Sequence, residues 1–356
     1  MNSPSSTALI RQAGSAALSR EALQFVQEEV VIDLHLEPYL PKRLLGYDLR
    51  RNHRSRWNPG WLMGHLDFPQ IEEGGLSGGM WSITTNIARG AEGKWNTLNR
   101  NLERLESELL ATEGAFQPVR TCSEFRSVVE AGNHAALFVV QGGNALEAGV
   151  DRLGEIYGDL LTRVTLLHLT NSSLGITSSP LRLWKSNPGL TSLGKRLVEA
   201  LNEQRILVDL AHIHPNGFWD AVDAHSNELP LIVTHTGVSG VAPHWRNLDD
   251  QQIRAIADSG GTIGIIFAKE FLARRGGPRD LEMVLEHMEY TIRVAGEEHV
   301  SIGSDLDGFI VPPADLRDGN CYARLVDGML RRGWSVERMR RVCSENFLRT
   351  FEQIRP

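Results

Sequence analysis

The stretch Ala135-Ala-Leu-Phe-Val-Val-Gln141 is an unbroken apolar run that ends in a polar side chain and is followed by two glycines. Because every position in the run is apolar, rather than every second one, it predicts a strand buried on both faces, as in a parallel sheet. Similar runs recur along the chain, and almost every one ends in a polar residue or in glycine. The other seven predicted strands are Val30–His35, Gly79–Asn86, Val164–His168, Ile206–His212, Leu229–His235, Thr262–Phe267 and His299–Asp305.

Segments with the spacing of amphipathic helices lie between these runs, at Leu98–Leu110, Leu193–Asn202, Leu248–Ala257 and Leu281–Val294. Strands that alternate with helices form βαβ units, and eight such units predict a closed (β/α)8 TIM barrel of the α/β class. A doubly wound open sheet is the alternative. The chain has no Gly-rich phosphate loop after its first predicted strand, which favours the barrel.

The domain organisation follows from the length of the chain, 356 residues. Length alone suggests two domains, but α/β barrels of this size occur as one. We therefore expect a single barrel domain over residues 1–356, with an elaborated first βα loop at about 38–78 and a closing helix at about 335–354.

Composition narrows the class of protein. The chain is 41% hydrophobic and 23% charged, with a formal net charge of -7, which is typical of a globular protein. No Lys/Arg stripe is evident, so we expect no nucleic-acid partner. No apolar run approaches the length of a membrane span, and the N-terminus lacks the apolar core of a secretory signal. The three cysteines form no CxxC pair, and a cytoplasmic protein is expected.

Polar side chains collect at the predicted strand ends. In a (β/α)8 barrel the carboxyl ends of the strands form one rim, where sites are built. Imidazole and carboxylate together are the usual ligands of zinc and similar divalent ions, so the rim predicts a metal site. The side chains expected on this rim are those of His35, Glu37, Gln141, His168, His212, His235 and Asp305.

The sequence predicts different roles for the residues of this rim. His35 and Glu37 are two apart on a strand, so their side chains point the same way and can face one ion. Asp305 could ligate a metal or take a proton from a metal-bound water. Asp307 is expected to fix the turn, and His214 to lie beyond the strand. His65 and Asp67, in the long first loop, are expected to close the site rather than form it.

Several motifs in chain order resemble those of the membrane (renal) dipeptidases, peptidase family M19, from about Val31 to Phe351. The resemblance implies a barrel of the metal-dependent hydrolase type. The motifs that carry it are Asp33-Leu-His35-Leu-Glu37, Thr165-Leu-Leu-His168, Asp209-Leu-Ala-His212, Thr234-His235-Thr236, Arg246-Asn-Leu-Asp-Asp250, Gly260-Gly-Thr-Ile-Gly264, Gly303-Ser-Asp-Leu-Asp-Gly308 and Asn346-Phe-Leu-Arg349.

The resemblance also implies an activity and a set of roles. Members carry a binuclear zinc site that hydrolyses the amide bond of a small dipeptide, and they often form homodimers. By position, His35 and Glu37 would hold one zinc, and His212 and His235 the other. His168 and Arg246 would bind the tetrahedral centre and the carboxylate of the substrate, while Asp305 would handle the proton of the nucleophilic water.

Three positions depart from the family pattern. Gln141 replaces a glutamate that bridges the two metals, Glu37 replaces an aspartate, and Ala268 aligns with a tyrosine that helps to hold substrate. Two dications about 3.5 Å apart repel by on the order of 19 kcal/mol at an effective dielectric of about 20. An amide cannot bridge them as a carboxylate does. Our hypothesis is therefore that the site binds one zinc tightly. The alternative is that the longer Glu37 supplies the missing bridge, so that two zinc ions are retained.

Three functions remain open from the sequence. The first is a zinc dipeptidase with altered efficiency or specificity. The second is a one-metal hydrolase of a non-peptide amide, ester or lactam, since one metal can still activate a water. The third is a non-catalytic binding or biosynthetic descendant of the family. The retained proton-handling Asp305 favours the first.

Overall fold

A computed structural model describes residues 18–54, 60–85, 88–180 and 189–356. Within these residues the sheet has nine strands, and every pair of neighbours is parallel. The strands are β1 (Ile32–Leu36), β2 (Gly78–Thr84), β3 (Phe116–Val119), β4 (His134–Gln141), β5 (Leu161–Thr165), β6 (Leu207–Asp209), β7 (Leu231–Thr236), β8 (Ile263–Ile265) and β9 (Val300–Ile302).

Eight of these strands close into a barrel. The order around it is β2-β1-β9-β8-β7-β6-β5-β4, and β2 pairs back onto β4 from Gly78 opposite Ala135 to Thr84 opposite Gln141. An open sheet has no such closing pair, so the predicted (β/α)8 barrel is confirmed. The quoted stretch, β4, is buried at every residue, as continuous apolarity predicts.

The extra strand, β3, was not predicted. It pairs with the first half of β4, from Phe116 opposite His134 to Val119 opposite Leu137, and β5 takes over that edge from Phe138 onward. Its sequence, Phe-Gln-Pro-Val, is short, is interrupted by proline and has two partly exposed residues in the middle. Such a segment gives no continuous apolar run, and proline is tolerated because this strand lies outside the closed ring.

Helices follow most of the strands. All four predicted helical segments are confirmed. Three agree within two residues at both ends, whereas the helix predicted over Leu98–Leu110 begins earlier, at Ala91. The helices are α1 (Arg20–Glu28), α2 (Tyr39–Leu45), α3 (Phe68–Gly74), α4 (Ala91–Leu110), α5 (Cys122–Glu130), α6 (Ser192–Glu203), α7 (Pro215–Ala224), α8 (Asp250–Asp258), α9 (Lys269–Leu272), α10 (Glu282–Ala295), α11 (Cys321–Arg331), α12 (Val336–Arg340) and α13 (Asn346–Ile354). None of the described helices is long and apolar enough to cross a membrane.

The long loop after β1 contains α2 and α3, and it is tied to the loop after β9. The Asp307 carboxylate accepts hydrogen bonds from the backbone N–H groups of Gly64, His65 and Leu66 at 2.7–3.0 Å. The His65 ring accepts the Asp307 N–H in return. Asp67 caps α3. These polar residues therefore hold the loop against the barrel, with Asp307 fixing the turn as expected.

The other end of the barrel is closed by the C-terminal segment. A π-helical turn, Arg341–Glu345, joins α12 to α13. The rings of Phe347 and Phe351 lie 5.6 Å apart and are buried in one apolar cluster with Ile32 and Leu34 of β1. Burial of two aromatic side chains stabilises the barrel by several kcal/mol, on the order of 3–5 for each ring removed.

The strand ends differ from the predicted ones in a way that matters for the site. Three predicted strands extended to His168, His212 and Asp305, but β5, β6 and β9 end three residues earlier. Predicted apolar runs continue past the strands because the first residues of each βα loop are also buried. The fourth predicted strand began at Val164, whereas β5 begins at Leu161 and contains Arg163. Asn86, the predicted end of the second strand, lies outside the described residues.

Candidate metal centre

The predicted rim residues come together at the carboxyl end of the barrel. The Nε2 atom of His35 lies 3.5 Å from Glu37 Oε1 and 3.5 Å from Asp305 Oδ1. The Nε2 atoms of His212 and His235 are 2.8 Å apart, and the Gln141 side-chain nitrogen lies 3.4 Å from each. Six of the seven predicted side chains thus enclose one small, buried space.

Backbone turns after the strands direct two of these side chains into the space. His212 and Asp305 adopt φ values of 64° and 63°, in the left-handed region that costs a non-glycine residue about 1 kcal/mol or more. Asp305 is held there by a hydrogen bond from its N–H to the His35 carbonyl, 3.0 Å. Strained backbone of this kind is concentrated at functional sites.

The His212 and His235 rings form one side of the centre. Burial, together with nearby positive charge, holds the pKa values of both rings well below the ordinary value, so both are neutral at pH 7. The His235 Nδ1 atom lies 2.9 Å from the Thr234 hydroxyl, which itself donates to Asp209 at 2.7 Å. The hydroxyl therefore accepts the His235 Nδ1–H, and the Nε2 lone pair is left for a ligand.

The other side consists of His35, Glu37 and Asp305. By distance, His35, His235 and Asp305 form a group that could hold a metal, with one ligand atom from each all within 4.8 Å of one another. Among the described residues, no hydrogen-bond partner lies within reach of Glu37 Oε2 or His35 Nε2, although both atoms are buried. Burial, and next the Glu37 charge, raise the pKa of Asp305 well above its usual range.

A buried arginine lies behind His35, and sequence reasoning missed it. Arg163 is fully buried within β5. Its Nη2 contacts His35 Nδ1 at 2.8 Å, and its Nη1 contacts the Thr165 hydroxyl, the Val140 carbonyl and, at 3.3 Å, the Asp209 carboxylate. The signal was a charged residue inside an apolar strand, which was missed because the predicted strand started at Val164, three residues too late.

The Gln141 amide presents a donor to the histidines. Its carbonyl oxygen lies 3.1 Å from the Thr84 hydroxyl, which also lies 3.0 Å from Glu37 Oε1. The amide nitrogen, a donor only, is the atom that faces His212 and His235. Gln141 would offer an oxygen to a metal only if its amide turned over.

His168 and Arg246 lie beside this centre. The His168 ring stands edge-on to His212 with centroids 4.8 Å apart, and desolvation lowers its pKa to about 4. Part of His168 is exposed to solvent, but its ordinary pKa would also leave it mostly neutral at pH 7. Arg246 donates to the His235 carbonyl at 2.6 Å. Burial lowers its pKa to about 10, so it remains a cation at pH 7.

Two nearby positions take no part in the cluster. His214 caps α7, where its ring accepts the Asn216 N–H at 3.2 Å. Ala268 directly precedes α9 and is fully buried. A methyl group at this position can neither donate to a substrate nor accept from one.

The model of the membrane dipeptidase family, peptidase family M19, matches residues 19–356. The chain belongs to peptidase family M19. The dipeptidase AC, a metallopeptidase of this family, is 29% identical with a TM-score of 0.76, over 92% of this chain and 98% of that chain. A Rhodobacter sphaeroides metallopeptidase, solved with a phosphinate mimic of the dipeptide L-Ala-D-Ala, is 27% identical with a TM-score of 0.76, over 92% and 99%.

A sequence relative of this M19 chain is the Klebsiella pneumoniae protein described as an uncharacterized protein in the pqqA 5′ region. The two are 35% identical over 172 residues, which is 48% of this chain and 62% of that protein. The match therefore covers less than two thirds of this relative. The family and its solved members support a metal-dependent, dipeptidase-like hydrolase.

Proposed function

We propose that this M19 member is a zinc-dependent dipeptidase that cleaves the amide bond of a small dipeptide. The observation that carries the proposal is the convergence of the His212 and His235 Nε2 atoms, 2.8 Å apart, inside a buried rim. Two neutral ring nitrogens this close, with few other polar partners, are well placed to share one cation. Histidine nitrogens are among the usual ligands of catalytic zinc.

The zinc would be held by His212 and His235, with Gln141 and Asp305 beside it. Bound there, it would lower the pKa of a water towards neutrality and polarise the carbonyl of the substrate. The Thr234 hydroxyl and Asp209 keep the His235 proton on Nδ1, so that the ring is presented in the tautomer that can bind a metal.

Three other side chains would handle the substrate. Arg246, a buried cation whose Nε has no hydrogen-bond partner in the described part of the chain, would bind the dipeptide carboxylate. His168, neutral and edge-on to His212, would donate to the developing oxyanion. Asp305, with its pKa raised by burial, would accept the proton of the attacking water and pass it to the leaving amine.

Activity on dipeptides tests this proposal directly. The purified protein, freed of metal by a chelator, would be assayed on a dipeptide panel with added zinc, cobalt or manganese. We expect amino-acid release that depends on metal and is lost in His235→Ala. His214→Ala is the matched control, since it removes a nearby histidine that caps α7 and lies outside the cluster. If the native protein hydrolysed none of the dipeptides with any of the metals, the proposal would be contradicted.

A second candidate function is a hydrolase of a non-peptide amide, ester or lactam. Two features favour it: the donor face of Gln141 at the expected bridge, and the methyl group of Ala268 where a substrate-holding hydroxyl was expected. Metal-dependent turnover of lactams or esters, with none of dipeptides, would select it. Ligand-induced thermal stabilisation without any turnover would instead indicate a non-catalytic descendant. The cytoplasmic location and the homodimer stay predictions.

A further inference from the structure

The hydrogen bond behind His35 has a fixed direction. A guanidinium group carries only donors, and Arg163 Nη2 lies 2.8 Å from His35 Nδ1. The Nδ1 lone pair therefore accepts this bond, and a neutral His35 ring carries its proton on Nε2. That Nε2–H points between two acceptors, Glu37 Oε1 and Asp305 Oδ1, each 3.5 Å away.

Metal binding by His35 would reverse this arrangement. A metal on Nε2 needs the lone pair there, so the proton would have to move to Nδ1, where it would face an N–H of Arg163. Metal-binding histidines normally donate their second N–H to a carboxylate, a carbonyl or water. Here the second nitrogen faces a donor cation instead.

Arg163 cannot easily withdraw from this contact. It is fully buried and is held by the Asp209 carboxylate, the Thr165 hydroxyl and two backbone carbonyls, those of Leu34 and Val140. Its positive charge lies behind the His35 ring, paired with Asp209, and Gln141 adds no negative charge on the metal-facing side of that ring. Both features disfavour an ion at the position of His35 and Glu37.

We propose that Arg163 fixes the proton of His35 on Nε2 and so keeps a second metal ion from binding there, which leaves a centre that binds a single ion at His212 and His235. His35 is then a positioning residue, whose Nε2–H faces the carboxylates of Glu37 and Asp305 at 3.5 Å. This inference rests on the proposed function only in placing a metal at His212 and His235. It replaces the assignment of His35 and Glu37 as metal ligands.

Metal stoichiometry provides the first test. Chains dialysed to equilibrium against free zinc would be analysed for bound metal by mass spectrometry. We expect one ion per native chain, and still one in Gln141→Glu, because Arg163 continues to block His35. The double variant Gln141→Glu with Arg163→Gln should approach two ions, since a glutamine can accept a hydrogen bond from His35 Nδ1–H. A double variant that folds and stays at one ion would overturn the role of Arg163.

Histidine tautomers provide a second test that needs no change at Arg163. Nitrogen NMR of the native protein, labelled in its histidines, would report which ring nitrogen of His35 carries the proton, with His35→Gln used for assignment. We expect a protonated Nε2 that is unchanged by zinc, while the Nε2 signals of His212 and His235 shift. A shift of the His35 Nε2 signal on zinc addition, or two tightly bound ions in the native chain, would overturn the inference.

The outcomes separate this inference from the proposed function. Two ions in the native chain with dipeptide turnover would leave the function standing and remove the inference. One ion per native chain with no dipeptide turnover would leave the inference standing and remove the proposed function. A native chain that binds no zinc would overturn both.

Discussion

The rings of His35 and His235 stack 4.0 Å apart with an interplanar angle of 22°, yet they are prepared for opposite roles. Behind His235 lies the Thr234 hydroxyl, which accepts a hydrogen bond from Nδ1–H and leaves Nε2 free for a metal. Behind His35 lies Arg163, which donates to Nδ1 and leaves a proton on Nε2. Two stacked histidines of one site can therefore differ in function because of the group that contacts their second ring nitrogen.

Removing a ring on the His235 side should have the largest effect. In His212→Ala the remaining Nε2 of His235 has no partner ligand, so zinc content should fall to background and hydrolysis with it. Metal analysis of the dialysed variant is the measurement, and His225→Ala, which removes a histidine bonded to the Leu229 carbonyl, is the control. Full zinc retention in His212→Ala would place the metal on the His35 side and break the comparison.

Arg246 should show the next largest effect. It donates to the His235 carbonyl and keeps its Nε available for a substrate carboxylate. A lost charge-assisted hydrogen bond costs about 1.5–3 kcal/mol, so Arg246→Met should lower kcat/KM on dipeptides by roughly 10- to 150-fold. Most of the change should appear in KM. A dipeptide amide, which lacks the carboxylate, should lose much less, and an equal loss on both substrates would assign Arg246 a structural role.

Thr234→Val sharpens the comparison by removing only the group behind His235. Loss of such a supporting partner typically lowers metal affinity by about 10- to 100-fold, and zinc competition with a chelator would measure the change. Thr162→Val is a matched control, because Thr162 is a buried strand threonine that bonds the Phe138 carbonyl. Affinity unchanged in Thr234→Val would mean that the tautomer of His235 is set by something other than this hydroxyl.

The smallest effect is expected from Thr84→Val, on the opposite side. The Thr84 hydroxyl contacts Glu37 and Gln141 but neither His212 nor His235. Loss of one buried hydrogen bond should lower the free energy of unfolding by about 1 kcal/mol, while zinc affinity stays at the native value. Thermal melting and the same chelator competition test both parts. A loss of affinity as large as that of Thr234→Val would show that both sides hold the metal.

Much of the fold could be predicted because its signals are local. The eight strands of the barrel are visible in the sequence as apolar runs. The helices α4, α6, α8 and α10 are visible from the spacing of their apolar residues. The strand β3 could not be predicted, because a four-residue segment with a proline and two half-exposed positions resembles a loop. Its pairing depends on the edge of β4 before Phe138, which β5 leaves free.

The candidate site divides in the same way. Histidines and acids at the ends of strands are visible in the sequence, and the barrel brings together the rim residues that those patterns single out. Arg163 was missed because its importance lies in a contact with His35, 128 residues away in the chain. The contacts of the Gln141 amide were equally out of reach, since Thr84 lies on the neighbouring strand and His212 lies 71 residues away in the chain.

The sequence by itself determined the barrel and the chemical types of the side chains on its rim. Burial on both faces and polar strand ends can each be recognised within a short stretch of chain. Only the tertiary structure decided which nitrogen of each histidine is free. The position of that proton depends on the group packed behind the ring, a hydroxyl for His235 and a guanidinium for His35. Closure of the barrel brings Arg163 to His35 from a distant strand, and this contact sets the number of metals we expect.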